Sequence, residues 1–319
     1  MSDFLQSMAA GSAERAAAVS GRFSSSDFDK PLVSLTPGTF DVIAEIKERS
    51  PAEGELTSAT HDRVEQAQRY AEGGALAISV LTEPSRFDGH LEHIAEVAEA
   101  VPGTPVMRKD FLVDPVQVHE ARKAGASGVL LIATMLPDAR LREMLDAAWQ
   151  HDMFVLLETF DEDDLARSSK LLENSRDADC AETGQLLFGV NTRNLRTLEV
   201  DSERLEALAP LLPQARCVAE SGLKVAADAA RVFHSASSFV LRPPSIPLMA
   251  PAISCESSAC RKRVAKNSSL AYSISIRRNV SSPASGIREG AQLVTEFSPR
   301  STNGVFCASA MADSLPSEL

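Results

Sequence analysis

Short apolar runs separated by longer stretches of mixed polarity set the rhythm of residues 1–232. The runs DVIAEI (41–46), LAISVL (76–81), PVMRKD (105–110), GVLLIA (128–133), MFVLLE (153–158), LFGVN (187–191) and RCVAE (216–220) predict seven strands. They are nearly continuous in apolar character instead of alternating, which predicts burial on both faces, as in a parallel sheet covered by helices. The segments between them carry helix ends. In DPVQVHEARKAGASG, Asp114 suits an N-cap, Pro115 the first helical position and Gly125 the left-handed residue after the last turn. In TFDEDDLARSSKLL the acids gather in the first turn, at the positive end of the helix dipole. A further helix is expected ahead of the first strand, over SDFLQSMAAGSAERAAAVSGRF. Repeated βα units of this kind build either an open doubly wound sheet or a closed barrel, and periodicity alone does not choose between them.

Charge and composition narrow the function classes. The 319 residues carry a net charge of −12, so a nucleic-acid surface, which needs clustered Lys and Arg, is not expected, and a small-molecule ligand is. No run of about 18 apolar residues is present, and the start MSDFLQSMAA lacks a basic n-region, so a cytoplasmic protein without a membrane partner is expected. The five cysteines (Cys180, Cys217, Cys255, Cys260, Cys307) form no CxxC pair and are read as free thiols, with no metal site implied.

The residues that close the apolar runs carry the candidate chemistry. Glu45 and Lys47, Lys109, Glu158, Asn191 and Glu220 stand at the carboxyl ends of five predicted strands. In a (β/α)₈ barrel those ends converge on one mouth, where the active sites of that fold are built, whereas in an open sheet they are spread along an edge. Taken singly, a Lys or Glu at a strand end is ordinarily a solvated loop residue. Together, ammoniums facing carboxylates in a mouth shielded from water are what general acid–base work requires.

These residues sit within six blocks that resemble the indole-3-glycerol phosphate synthase family in order and spacing. The blocks are IAEIKERSPAEG (43–54), ISVLTEPSRFDG (78–89), PVMRKDFLVDPVQVHEARKAGASGVLLI (105–132), VLLETF (155–160), FGVNTRNLRTLEVD (188–201) and VAESG (218–222). The resemblance spans roughly residues 30–232 and implies a (β/α)₈ barrel preceded by an extra helix. It also implies a lyase of tryptophan biosynthesis that turns 1-(2-carboxyphenylamino)-1-deoxyribulose 5-phosphate into indole-3-glycerol phosphate, carbon dioxide and water, with no metal or organic cofactor. By motif, Lys109 is similar to the general acid of ring closure, and Glu158 with Lys47 to the acid–base pair of the later dehydration. Glu45 is then expected to hold Lys47, and Asn191 and Glu220 to bind polar atoms of the substrate. Ser50 and Gly222 match phosphate-binding positions, and Pro51, Arg193 and Ser221 fall among the substrate-binding positions. Phe87 and Phe111 match residues that pack the anthranilate ring, although isolated Phe residues more commonly pack a core. A small phosphorylated substrate is the expected partner, with a monomer or weak homo-oligomer as the acting unit.

A break in composition falls near Val232. Residues 1–232 hold 23 Lys+Arg and 39 Asp+Glu, and residues 233–319 hold 9 and 5, so the sign of the charge inverts. The second stretch is rich in Ser and Pro and is expected to be a disordered tail or the product of a shifted reading frame. The eighth strand is therefore expected to be missing or replaced; the best local substitute, SSFVLRPPS (237–245), has two prolines that a central strand resists. Two other readings stay open at this point: a catalytically impaired barrel remnant, and a related phosphosugar isomerase barrel.

Overall fold

The structure is a computed structural model that describes residues 2–19, 23–38, 40–50, 54–55, 62–193, 200–201, 203–221 and 304–308. Seven strands fall where the apolar runs place them: β1 (Phe40–Ile46), β2 (Ala77–Leu81), β3 (Val106–Lys109), β4 (Gly128–Ile132), β5 (Phe154–Thr159), β6 (Leu186–Asn191) and β7 (Cys217–Glu220). All run parallel, and the order closes on itself as β1-β8-β7-β6-β5-β4-β3-β2, with β8 formed by Gly304–Ala308. Of the two arrangements left open by periodicity, the chain adopts the barrel. β2, β4, β5 and β6 are buried along their whole length, which is why their sequences do not alternate.

The closing strand comes from a place the apolar pattern does not indicate. β8 pairs with β1 through Phe40↔Gly304 to Ala44↔Ala308, and with β7 through Gly304↔Cys217 to Phe306↔Ala219. It is drawn from the Ser- and Pro-rich stretch 233–319 that composition sets apart. The substitute strand expected at 237–245 lies outside the described residues, as do Pro51 and Gly222.

Helices cover the barrel, and their ends are set by side chains. Asp114 caps the helix Pro115–Ala124 by accepting from the Val116 amide at 3.0 Å, and the Asp114 amide in turn donates to Gln117 Oε1 at 3.1 Å. Gly125 then stops it at φ 108°, a left-handed backbone that costs any residue with a Cβ. Asp161 caps Glu162–Ser169 through the Asp164 amide, and Glu162, Asp163 and Asp164 fill that first turn as the dipole favours.

The helix expected ahead of the barrel is α1, Asp3–Ala18, started by the Ser2 side chain. Its buried residues Leu5, Met8, Ser12 and Ala16 recur every three or four positions and so form one face. That face lies against the barrel: Phe4 meets Phe111 edge to face at 5.8 Å, and Gln117 Nε2 donates to Ser12 Oγ at 2.9 Å. Among the described residues no helix is long and apolar enough to cross a membrane.

Candidate active site

The parallel register brings the strand ends level with one another. Glu45 is paired with Ser79, Leu81 with Lys109, Glu158 with Gly189, and Asn191 with Glu220, so the charged or amide residues of five strands open onto the same end of the barrel.

The side chains meet there. Lys47 Nζ lies 3.2 Å from one oxygen of Glu45, and Lys109 Nζ lies 3.0 Å from the other, so one buried carboxylate bridges two ammoniums. Burial alone pushes the Glu45 carboxyl up. The positive charges of Lys109 and Lys47, with the hydrogen bonds they donate, outweigh it and bring the pKa down to about 2. Glu45 is thus a fixed anion that holds both lysines at the mouth. On the opposite wall, Asn191 Nδ2 donates to Glu158 Oε1 at 2.9 Å, and the Arg193 amide donates to Asn191 Oδ1 at 2.8 Å, which fixes the orientation of the Asn191 amide.

Glu220 joins the two walls. Its carboxylate is 3.7 Å from Lys109 Nζ, the residue is only 1% exposed, and neither oxygen accepts a hydrogen bond from a described N–H or O–H group. Burial, then the charge of Glu158 and, more weakly, that of Glu45 drive its pKa well above the usual carboxylate value, against the opposing pull of Lys109. The group faces the Glu158 carboxyl, and two carboxyls that share a site resist ionising together. Gly189 makes room for it: a Cβ on Gly189 would lie 2.0 Å from Glu220 Oε1. A glycine inside a strand marks such a close approach, and LFGVN carries that signal in the sequence.

Phe87, on the single helical turn after β2, and Phe111, just past β3, stand 6.1 Å apart between ring centroids, and Phe4 of α1 completes a row of three rings. Phe111 is buried and belongs to the main core cluster, whereas Phe87 only packs against it. Of the other expected substrate-binding residues, Ser221 directly follows Glu220 and has φ 65°, a left-handed backbone that is strained for a non-glycine residue. Ser50 ends a two-residue strand paired with Gly54–Glu55. Arg193 forms a bridge with Val200.

Sequence reasoning passed over three residues near this site. Asp110 lies inside the RKDF block but was overshadowed there by Lys109, Thr82 follows β2, and Arg15 belongs to α1. Nothing local in the sequence ties Arg15 to Asp110, because its partner is 95 positions away.

Comparison with known proteins agrees with this geometry. Residues 6–242 match the family described as Indole-3-glycerol phosphate synthase. The indole-3-glycerol phosphate synthase of Nocardioides sp. is 42% identical over 212 residues, covering 66% of this chain and 76% of that protein. That of Mycolicibacterium gilvum is 41% identical over 198 residues, 62% of this chain and 68% of the relative. That of Parafrankia sp. is 43% identical over 194 residues, 60% and 67%. The six sequence blocks, the barrel that levels their strand ends, and a match across most of the chain lead to one assignment: the protein belongs to the indole-3-glycerol phosphate synthase family.

Proposed function

We propose that the chain is a carboxy-lyase of tryptophan biosynthesis that converts 1-(2-carboxyphenylamino)-1-deoxyribulose 5-phosphate to indole-3-glycerol phosphate with loss of carbon dioxide and water. The observation that carries the reading is the cluster in which Glu45 bridges Lys47 and Lys109 while Lys109 also approaches Glu220. A phosphosugar isomerase barrel calls for a different set of acid–base residues, and the comparisons do not favour it.

In the first step the anthranilate ring carbon that bears the carboxylate attacks the ribulose carbonyl, and Lys109 gives a proton to the oxygen as the bond forms. An alkoxide left unprotonated in a site shielded from water would be costly. Loss of carbon dioxide from the same ring carbon returns its electron pair to the ring. The new hydroxyl then leaves as water, with Lys47 and Glu158 as the acid–base pair. Glu45, an anion with a pKa of about 2, holds both ammoniums in place. Asn191 and Glu220 bind polar atoms of the substrate, Phe87 and Phe111 flank the anthranilate ring, and Ser50, Pro51, Arg193, Ser221 and Gly222 serve the phosphate end and its surroundings. In this reading a monomer or weak homo-oligomer in the cytoplasm is the acting unit.

Substitution separates the roles. Lys109→Met should lower turnover by about 10²–10⁴ with the fold retained, the range for loss of a positioned acid. Glu158→Gln should lower kcat with KM little changed, because Asn191 keeps a hydrogen-bonding partner of the same shape. Indole fluorescence during turnover reads both. Near-parental turnover in Lys109→Met removes Lys109 from the mechanism, and a loss confined to KM in Glu158→Gln makes that residue a binder.

A further inference from the structure

Asp110 lies between Lys109 and Phe111, is 2% exposed, and collects four donors. Arg15 of α1 donates to Oδ1 at 2.8 Å and the Phe111 amide to the same oxygen at 2.8 Å. Arg108 donates to Oδ2 at 3.1 Å, and the Thr82 hydroxyl does so at 3.0 Å. Thr82 also holds the preceding residue, since its amide donates to the Lys109 carbonyl at 3.0 Å. The turn 109–111 is therefore pinned at its first carbonyl, its central side chain and its last amide. Two guanidiniums on one buried carboxylate exceed what neutralisation requires. Arg108 is itself buried, with the Gln117 carbonyl at 3.0 Å and Glu120 at 3.5 Å, so it balances Asp110 from the layer between β3 and the helix Pro115–Ala124. Arg15 comes from outside, on a helix whose Ser12 and Phe4 touch Gln117 and Phe111, and it also stands 3.8 Å from Glu83.

We infer that Asp110 is a positioning residue whose carboxylate couples the docking of α1, through Arg15, to the placement of the Lys109 ammonium over Glu45 and Glu220. The inference rests on the proposed role of Lys109. A helix that merely covers the substrate changes how tightly substrate is held. A helix that pins the turn carrying the acid changes the chemical step, because small misplacements of a catalytic group cost large factors in rate.

Arg15→Ala is the variant of choice, because it leaves Asp110 paired with Arg108; Asp110→Asn would leave Arg108 buried without its carboxylate and endanger folding. In the full chain, amide hydrogen exchange should rise in Arg15→Ala both in α1 and across residues 109–113. With 1-(2-carboxyphenylamino)-1-deoxyribulose 5-phosphate as substrate, kcat should fall about ten- to a hundredfold while KM changes less than about twofold. Arg15→Lys, which keeps the charge, should recover most of the lost kcat. Faster exchange confined to α1, a rise in KM at unchanged kcat, or a lower Tm at unchanged kinetics each overturn the inference. If the parent chain shows no turnover, it is the functional reading that fails, and the exchange of residues 109–113 alone then decides whether α1 pins the turn.

Discussion

Two glutamates a few ångströms apart at the barrel mouth titrate in opposite directions, and both shifts have consequences for stability. Glu45, lowered to about 2 by its two lysines, contributes stability that is present above about pH 4.5 and is lost as pH falls towards 2. Glu220 behaves in the contrary sense. Below about 4.5 it is protonated whether the chain is folded or not; above that, the unfolded chain ionises freely while the folded one resists, so its burial costs more with each rise in pH up to its raised value. Glu220→Gln should therefore stabilise the fold, with a Tm gain that is small at pH 5 and clear at pH 8. An equal gain at both pH values would show that Glu220 is charged in the folded protein. The sequence places both residues at strand ends but gives no hint of their different states. That difference comes from Lys47 and Lys109 converging on one carboxylate and from the burial of the other beside Glu158.

At the scale of elements, residues 40–220 were legible to within a residue or so at each strand end, because strands covered on both faces leave unbroken apolar runs. The cap at Asp114 and the stop at Gly125 were legible for the same local reason. Contacts between distant elements were not: the Arg15–Asp110 pair and the Phe4–Phe111 packing depend on how α1 lies across the barrel. The two mouth phenylalanines illustrate the limit. Both are expected from the family resemblance to pack the anthranilate ring, yet Phe111 is also a core residue and Phe87 is only half-buried against the core. Phe87→Ala should raise KM several-fold with a modest loss of Tm, whereas Phe111→Ala should cost about 3 kcal/mol or more of stability as well, as large core truncations do. Thermal melts beside kinetics check the pair, and an unchanged KM in Phe87→Ala would place that ring outside the substrate pocket.

At the scale of the whole molecule, barrel closure depends on Gly304–Ala308, a five-residue run with no helical pattern immediately before it to mark it as the eighth strand. Its ladders to β1 and β7 cover edges that would otherwise be open. A chain truncated after Pro299 should melt at a distinctly lower temperature or aggregate, as judged by circular dichroism and light scattering; unchanged melting would mean that these residues do not close the barrel. The central claim, that the levelled strand ends of this chain form a working synthase site, is tested most directly by turnover. Purified full-length protein incubated with 1-(2-carboxyphenylamino)-1-deoxyribulose 5-phosphate should develop indole fluorescence and release one carbon dioxide for each indole ring formed. Folded protein that yields neither signal would contradict it.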